Sequence, residues 1–152
     1  MKYQIEVKSS FCAAHALSNY GGDCKYLHGH NFDVVVRIES KYLNQSNDMV
    51  MDFKVVKKAL KSILSSWDHG VLLNEKEDHE YMEHLQPLFE RCVLFETEPT
   101  CERLAEQILG KLQASLFDDG LFGAPEYIKV ASVTVSETSS YSATVFADSD
   151  DE

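Results

Sequence analysis

The stretch "CKYLHGHNFDVVV", residues 24–36, places a thiol and two imidazoles directly before a run of strand-forming residues. Even-numbered apolar residues from Phe32 to Ile38 alternate with mostly polar ones, which is the period-two pattern of a strand with one covered face. If the strand extends back to residue 28, His28 and His30 point to that apolar side with Cα atoms roughly 6.5–7 Å apart. This separation lets both rings reach one ion at about 2.0–2.1 Å.

A third histidine has the position needed to join them. His15 shares the odd parity of the apolar residues in the first predicted strand, which begins at Tyr3, so both strands can present histidines to one side. The three side chains predict a His₃ zinc site, against the alternative of ordinary core histidines. The fourth zinc position stays open to two interpretations, because Cys24 either closes the site as a ligand or stands off it as a nucleophile or base.

Two further groups are candidates for chemistry. Asp68 and His69 are adjacent at a predicted helix end, where a carboxylate can orient an imidazole; the alternative is a surface turn. Glu137 has the parity of the apolar face of its predicted strand, where a carboxylate needs a partner or a ligand. The alternative for Glu137 is a position at the strand end.

The order of predicted elements is strand, strand, helix, helix, strand, strand. Asp52 and Thr100 are the predicted N-caps of the two amphipathic helices, and residues 75–98 are expected to be irregular, with a short helix around Pro87. This order predicts an α+β domain, a four-stranded antiparallel sheet with two helices on one face. A symmetric oligomer would cover the remaining face and the edges. We expect one domain over 1–147 and an acidic tail over 148–152.

Charge and composition limit the possible partners. The formal net charge is −11, which argues against a nucleic-acid surface, and the last five residues, "DSDDE", contribute four of the acids. Lysines gather instead between Lys54 and Lys61, which indicates a solvated helix face or, alternatively, a site for an anionic group. No apolar run reaches the ~18 residues of a membrane span, and the start lacks the features of a signal peptide, so we expect a cytoplasmic protein.

Six motifs in order identify a resemblance. They are "FCAAHAL", "CKYLHGH", "MVMDF", "WDHGVLLN", "PTCERLA" and "VSET". Together they resemble the 6-pyruvoyl-tetrahydropterin synthase family over about residues 3 to 146. The three-residue gap between Cys24 and His28 is most similar to its 6-carboxytetrahydropterin synthase branch, which acts in queuosine and deazapurine synthesis. The resemblance implies the tunnelling fold, assembled into an oligomeric barrel with active sites between subunits.

The resemblance also implies roles for individual residues. His15, His28 and His30 would hold Zn²⁺ as the cofactor. Cys24 would be the catalytic thiol, with Asp68 and His69 completing the proton-transfer group. Glu137 would anchor the pterin ring, helped by Thr100 and Glu102.

The implied reaction converts 7,8-dihydroneopterin triphosphate to 6-carboxy-5,6,7,8-tetrahydropterin, acetaldehyde and triphosphate. The alternatives are a 6-pyruvoyl-tetrahydropterin synthase, which keeps the three-carbon side chain, and a non-catalytic zinc- or pterin-binding module. The chain departs from the family pattern in its long segment 75–98, at Trp67, where the family usually has Leu, and at Cys101, where it often has Ser or Thr.

Overall fold

Two long antiparallel strands form the centre of the sheet in the computed structural model. They pair along their whole length, from Tyr3 opposite Ser40 to His15 opposite His28. β-Branched and aromatic residues dominate both strands, and such side chains pack well on a pleated surface. The structure describes residues 1–85, 91–118, 125 and 127–148.

Within these described ranges six strands make one mixed sheet. They are β1 (Tyr3–His15), β2 (His28–Ser40), β3 (Gly70–Asn74), β4 (Cys92–Phe95), β5 (Ile128–Ser136) and β6 (Ser142–Phe146). Their order across the sheet is β4-β3-β1-β2-β5-β6. Neighbouring strands pair antiparallel in the part of the sheet formed by β1, β2, β5 and β6. Strand β3 pairs parallel with both β1 and β4.

The prediction of a four-stranded antiparallel sheet is therefore wrong in strand number and direction. It misses β3 and β4, which add two parallel pairings at one edge. All five residues of β3 are buried, so this strand shows no alternation of apolar and polar residues. A short apolar run of this kind cannot be assigned to a strand from periodicity alone.

In the described part of the chain three α-helices accompany the sheet, α1 (Phe53–Ser65), α2 (His79–Leu85) and α3 (Cys101–Gln113). Both predicted caps are confirmed, since Asp52 accepts a hydrogen bond from the Lys54 backbone N–H and Thr100 accepts one from that of Arg103. Helices α1 and α3 share the main core with the sheet. At its centre Phe11 stacks on Phe32 with ring centroids 4.9 Å apart.

The prediction of two helices on one face of the sheet is incomplete, because a third helix, α2, lies on the other face. Its side chains Tyr81, Met82 and Leu85 pack against Val71 and Leu73 in a separate apolar cluster. Leu72, between them on the same strand, belongs to the main core, so α2 lies on the opposite face of the sheet. This opposite placement explains why every residue of β3 is buried.

The segment 75–98 thus contains α2 and β4 rather than irregular structure alone. The helix expected around Pro87 is observed at 79–85, and Pro87 itself lies outside the described residues. Of the predicted tail, only Asp148 lies within them. None of the helices in the described ranges is long and apolar enough to cross a membrane.

Candidate metal centre and surrounding site

Three histidines converge where β1 ends and β2 begins. The register places His15 directly opposite His28, and His30 opposite Ala13. The ring centroids are 4.5 Å apart for His15 and His28, 5.2 Å for His15 and His30, and 4.9 Å for His28 and His30. One ligand nitrogen from each ring lies within 4.8 Å of the other two. The predicted common face of the three histidines is confirmed.

Hydrogen bonds to backbone carbonyls select the tautomer of two rings. His15 Nδ1 lies 2.9 Å from the carbonyl oxygen of Pro99, and His28 Nδ1 lies 2.7 Å from that of Tyr26. A carbonyl only accepts, so each Nδ1 carries the proton and donates it, which leaves a lone pair on Nε2. The Nε2 atoms of all three histidines are buried, and none has a hydrogen-bond partner among the residues that the structure describes. Such an arrangement fits a bound metal ion, which would use these lone pairs.

The environment also favours the neutral form of the His15 and His30 imidazoles. Burial lowers the pKa of His15, and the neighbouring His28 and His30 lower it further, against the opposing bond to Pro99. Burial likewise lowers the pKa of His30, while the charge of Glu137 opposes the shift. A neutral imidazole is the form that ligates metals. Three imidazoles and no fixed fourth ligand are the donor set of a catalytic zinc site.

Cys24 lies in the short 3₁₀ turn Asp23–Lys25, between the two long strands. Its backbone carbonyl accepts a hydrogen bond of 2.9 Å from Leu17, which closes the loop. The thiol is half-buried. Within the described part of the chain, the metal-ligand cluster consists of the three histidines and does not include Cys24.

Asp68 and His69 form a hydrogen-bonded pair in the turn before β3. Asp68 Oδ2 lies 3.0 Å from His69 Nδ1, and Asp68 Oδ1 accepts a 2.9 Å bond from the Cys12 backbone N–H. The bond from Cys12 lowers the pKa of Asp68, and the contact with His69 and the charge of Arg91 lower it further. His69 has a left-handed backbone (φ 59°), and 74% of its side chain is exposed.

Sequence reasoning missed Arg91, which lies directly before β4 and supports this turn. Its guanidinium donates a 2.8 Å hydrogen bond to the Asp68 carbonyl oxygen. Its own carbonyl oxygen accepts from Val71 and would lie 3.0 Å from a Cβ at Gly70. No signal in the sequence indicates this role, because it depends on a strand that shows no clear periodicity.

Glu137 joins the histidine cluster to the start of α3. Its carboxylate lies 3.9 Å from His30 Nε2 and accepts a 3.7 Å contact from the Cys101 thiol. Burial raises the pKa of Cys101 to about 12, helped by the negative charges of Glu137 and Glu102. Thr100, the cap of α3, is adjacent in the chain to Pro99, whose carbonyl holds His15.

A partly buried polar network, also missed from the sequence, fixes this region. The Asp78 carboxylate accepts hydrogen bonds from Ser18 Oγ and from the backbone N–H of Asn74. Glu98 Oε1 accepts from the side-chain amides of Asn74 (3.0 Å) and Asn19 (3.3 Å). These bonds tie the loop after β1, the end of β3 and the start of α3 together. Asn and Asp in loops are too common for their spacing to predict such a network.

The structure therefore brings some of the predicted site residues together and not others. The three histidines, Glu137 and the start of α3 meet in one place. Among the described residues, no hydrogen bond or ion pair connects Asp68 and His69 with Cys24 or with this cluster.

Comparisons with known proteins agree with this architecture. A family model described as 6-pyruvoyl tetrahydropterin synthase matches residues 4–148. A protein of Helicobacter pylori named 6-carboxy-5,6,7,8-tetrahydropterin synthase is 30% identical over 84% of this chain, which covers 64% of that protein's length. One of the same name from Aquifex aeolicus is 32% identical over 70% of this chain and 67% of its own.

Solved structures show the same fold. An uncharacterized protein of Wolinella succinogenes superposes with a TM-score of 0.82 at 22% identity, covering 97% of this chain and 99% of the other. A 6-pyruvoyl tetrahydropterin synthase from Plasmodium vivax superposes with a TM-score of 0.71 at 22% identity and the same coverage. On the match over residues 4–148, the chain belongs to the 6-pyruvoyl tetrahydropterin synthase family.

Proposed function

We propose that this chain is a zinc-dependent 6-carboxy-5,6,7,8-tetrahydropterin synthase. It would convert 7,8-dihydroneopterin triphosphate to 6-carboxytetrahydropterin, acetaldehyde and triphosphate, as a cytoplasmic carbon–carbon lyase of queuosine biosynthesis. The observation that carries the proposal is the group of three buried, partnerless Nε2 atoms beside Glu137. Relatives that bear this enzyme's name support the choice of reaction.

His15, His28 and His30 would hold the zinc ion through their Nε2 atoms. When bound, the ion supplies a Lewis acid that can polarise oxygen atoms of the substrate side chain. Pro99 and Tyr26 fix two of the rings through their carbonyls, and such supporting bonds orient ligands and raise their basicity. The partial exposure of the His30 side chain, 18%, leaves access to the cluster from one side.

Cys24, Asp68 and His69 would move protons. The contact with Asp68 assigns the proton of His69 to Nδ1, so Nε2 is the atom free to accept or donate one. The Cys24 thiolate would act as the second general acid–base group. Asp68 stays ionised because its pKa is lowered by its hydrogen bonds, and it therefore stabilises a protonated His69.

Glu137 would bind the pterin ring by accepting hydrogen bonds from its N–H groups. Partial burial of the Glu137 carboxylate between His30 and Cys101 favours a ligand that donates protons to it. Thr100 would assist with its hydroxyl proton, since the cap bond uses only an oxygen lone pair. Glu102, exposed in the first turn of α3, would add an acceptor at the rim of the site.

We further propose a homo-oligomer with active sites at subunit interfaces. The exposed His69 has no hydrogen bond or ion pair with Cys24 among the described residues, so a complete proton-transfer group would need a second copy of the chain. Open strand edges in the described part of the sheet also favour assembly.

Product analysis tests the reaction directly. The zinc-loaded protein is incubated with 7,8-dihydroneopterin triphosphate, and every product is identified. Acetaldehyde and 6-carboxytetrahydropterin are expected in equal amounts. A product that retains the three-carbon side chain, without acetaldehyde, would instead identify the pyruvoyl-forming reaction.

A Cys24→Ala variant tests the role of the thiol. We expect it to retain zinc and lose turnover, while Cys92→Ala, which alters a half-buried thiol on β4, retains both. Loss of zinc from Cys24→Ala would support a closed Cys-His₃ site and a non-catalytic binding module. Zinc content by metal analysis and turnover are measured on the same samples.

A further inference from the structure

The connection between β1 and β2 carries Cys24 and contains little regular structure. Over residues 16–27, all of which the structure describes, the 3₁₀ turn Asp23–Lys25 is the one regular element. We call residues 16–27 the thiol loop. The Leu17 N–H donates a 2.9 Å hydrogen bond to the Cys24 carbonyl oxygen and so closes the loop on itself. A loop of this kind keeps one conformation only where contacts with other parts of the molecule hold it.

Both ends of the thiol loop pack against the apolar cluster that α2 forms with β3. Ala16, at the start of the loop, is fully buried in this cluster, and Leu27, at its end, packs against it. Helix α2 belongs to the segment 75–98, in which the chain departs from the family pattern. This segment therefore supports the loop at the two points where it leaves the sheet.

Two carboxylates of the same segment hold the loop between these ends. Asp78, which is 2% exposed, accepts a hydrogen bond from Ser18 Oγ, and Glu98 Oε1 accepts a 3.3 Å bond from the Asn19 side-chain amide. Asn74 fixes both carboxylates, because its backbone N–H donates to Asp78 (2.7 Å) and its side-chain amide donates to Glu98 (3.0 Å). Two acids that are bonded to one asparagine thus bind two consecutive residues of the loop.

Charge makes these contacts stronger than ordinary loop contacts. A hydrogen bond to a carboxylate is roughly twice as strong as one between neutral groups. The second oxygen of Glu98, Oε2, is buried and has no hydrogen-bond partner among the described residues. The bonds that Oε1 accepts from Asn19 and Asn74 therefore compensate for the burial of this carboxylate, which favours the conformation that keeps the loop in place.

The backbone transmits these contacts to the thiol and to the metal site. Leu17, which bonds to the Cys24 carbonyl, comes directly before the residue that Asp78 binds. Glu98 comes directly before Pro99, whose carbonyl oxygen lies 2.9 Å from His15 Nδ1. The same short stretch of chain thus orients one of the three histidines and holds the loop that carries the thiol.

We propose that Asp78 and Glu98 are positioning residues, which hold the thiol loop and thereby fix Cys24 relative to the histidine cluster. This inference rests on the proposed function, in which the Cys24 thiol moves protons. Both carboxylates act through the loop and not on the substrate. The long segment 75–98 would accordingly contribute to the reaction by holding the thiol in place.

Hydrogen exchange of the Leu17 amide tests whether the carboxylates hold the loop. Ser18→Ala removes the loop side of the contact with Asp78 but keeps the bond from Asn74, and Glu98→Ala removes the second contact. In each variant the Leu17 amide should exchange at least about fivefold faster than in the wild type, as expected for the loss of one average hydrogen bond. Amides at the centre of β2 should change by less than about twofold. An unchanged Leu17 rate, or an equal acceleration in β2, overturns the proposal.

Two further variants make the exchange measurement specific. Ser65→Ala is the matched control, because this hydroxyl also donates one hydrogen bond, to the Ser62 carbonyl oxygen at the end of α1, and its loss should leave the Leu17 rate unchanged. Glu98→Gln is the conservative change, since its amide oxygen can still accept from both asparagine side chains, and it should keep the slow exchange that Glu98→Ala loses. Fast exchange of the Leu17 amide in either variant contradicts the contact.

Steady-state kinetics tests whether the held loop positions the thiol. Ser18→Ala and Glu98→Ala should lower kcat about tenfold and change KM less than about twofold, because Glu137, which would bind the pterin ring, lies outside the loop. In a Cys24→Ala background neither substitution should lower the residual rate further. Faster exchange with an unchanged kcat, or a further fall without the thiol, refutes the positioning role. A wild type that converts no substrate would refute the proposed function, and the exchange rates would still decide whether the carboxylates hold the loop.

Discussion

Replacing His30 by Leu separates two effects of the histidine cluster on stability, the cost of its buried nitrogens without metal and the gain from metal binding. Without metal, the buried Nε2 of His30 lacks a partner, and an unsatisfied buried polar atom costs about 1–3 kcal/mol. Leu removes this atom but loses the edge contact of the ring with Phe32, whose centroid lies 5.4 Å away. The two changes oppose each other. Without metal, we therefore expect the free energy of unfolding of the variant to lie within about 1 kcal/mol of that of the wild type.

With zinc the two proteins should differ. A ligand present at 100 times its dissociation constant stabilises the folded state by about 2.7 kcal/mol. For a domain of this size, that corresponds to an increase in Tm of about 5–11 °C. His30→Leu retains two of the three nitrogens, so its zinc-induced increase should shrink to less than about 2 °C at the same zinc concentration.

The assay is thermal unfolding of each protein with a chelator and with a titrated excess of zinc. His84→Leu is the matched control, because His84 is exposed on α2, and it should keep the full increase. If His30→Leu showed the same zinc-induced increase as the wild type, the three histidines would not form the metal site.

Three other predictions follow from individual contacts. Trp67 is 1% exposed and lies between the rings of Phe11 and Phe95. Trp67→Leu should therefore lower the free energy of unfolding, measured by urea titration, by about 2–4 kcal/mol. A loss below about 1 kcal/mol would contradict this packing role. The pKa of Asp68 is lowered in the folded protein, so above pH 3.8, its ordinary pKa, the wild type should have a higher free energy of unfolding than Asp68→Asn. This advantage should disappear as the pH falls through the lower pKa of the folded state, and a difference that does not change with pH would refute the shift. Cys101, with its pKa raised to about 12, should resist alkylation at pH 8 until the protein unfolds, whereas the exposed thiol of Cys12 should react at once, as mass spectrometry of digests can show.

The histidine cluster could be predicted because its geometry is local. Alternation along a strand decides which side chains share a face, and His28 and His30 differ by two positions. Adding His15 needed only the assumption that the first two strands are neighbours, which sequential strands usually are. Parity then aligned the three rings without any knowledge of the register.

Strand β3 could not be predicted in the same way. Val71 and Leu73 face α2, whereas Leu72 faces the main core, so its sequence lacks alternation. Its parallel pairing with β1 and β4 depends on contacts between distant residues, which no local pattern encodes. The support of the Asp68 carbonyl by Arg91 was hidden for the same reason.

The side-chain positions of Cys24 and Asp68 could not be predicted from the sequence for a different reason. Their residue types suggest chemistry, but no periodicity fixes where a turn directs its side chains. The assignment of Cys24 to catalysis therefore depends on the family resemblance. The hydrogen bond from His15 to the buried Pro99 carbonyl could not be predicted either, because every residue has a carbonyl and nothing in the sequence indicates which one accepts.

The left-handed backbone of His69 has a consequence for engineering this protein. A side chain with a Cβ pays roughly 1 kcal/mol or more in that conformation, whereas glycine adopts it freely. A chain selected only for thermal resistance would accordingly drift to glycine or asparagine at position 69 and lose its imidazole. Under the proposed proton-transfer role of His69, directed evolution that screens for heat tolerance alone should thus accumulate stable variants without activity at this codon.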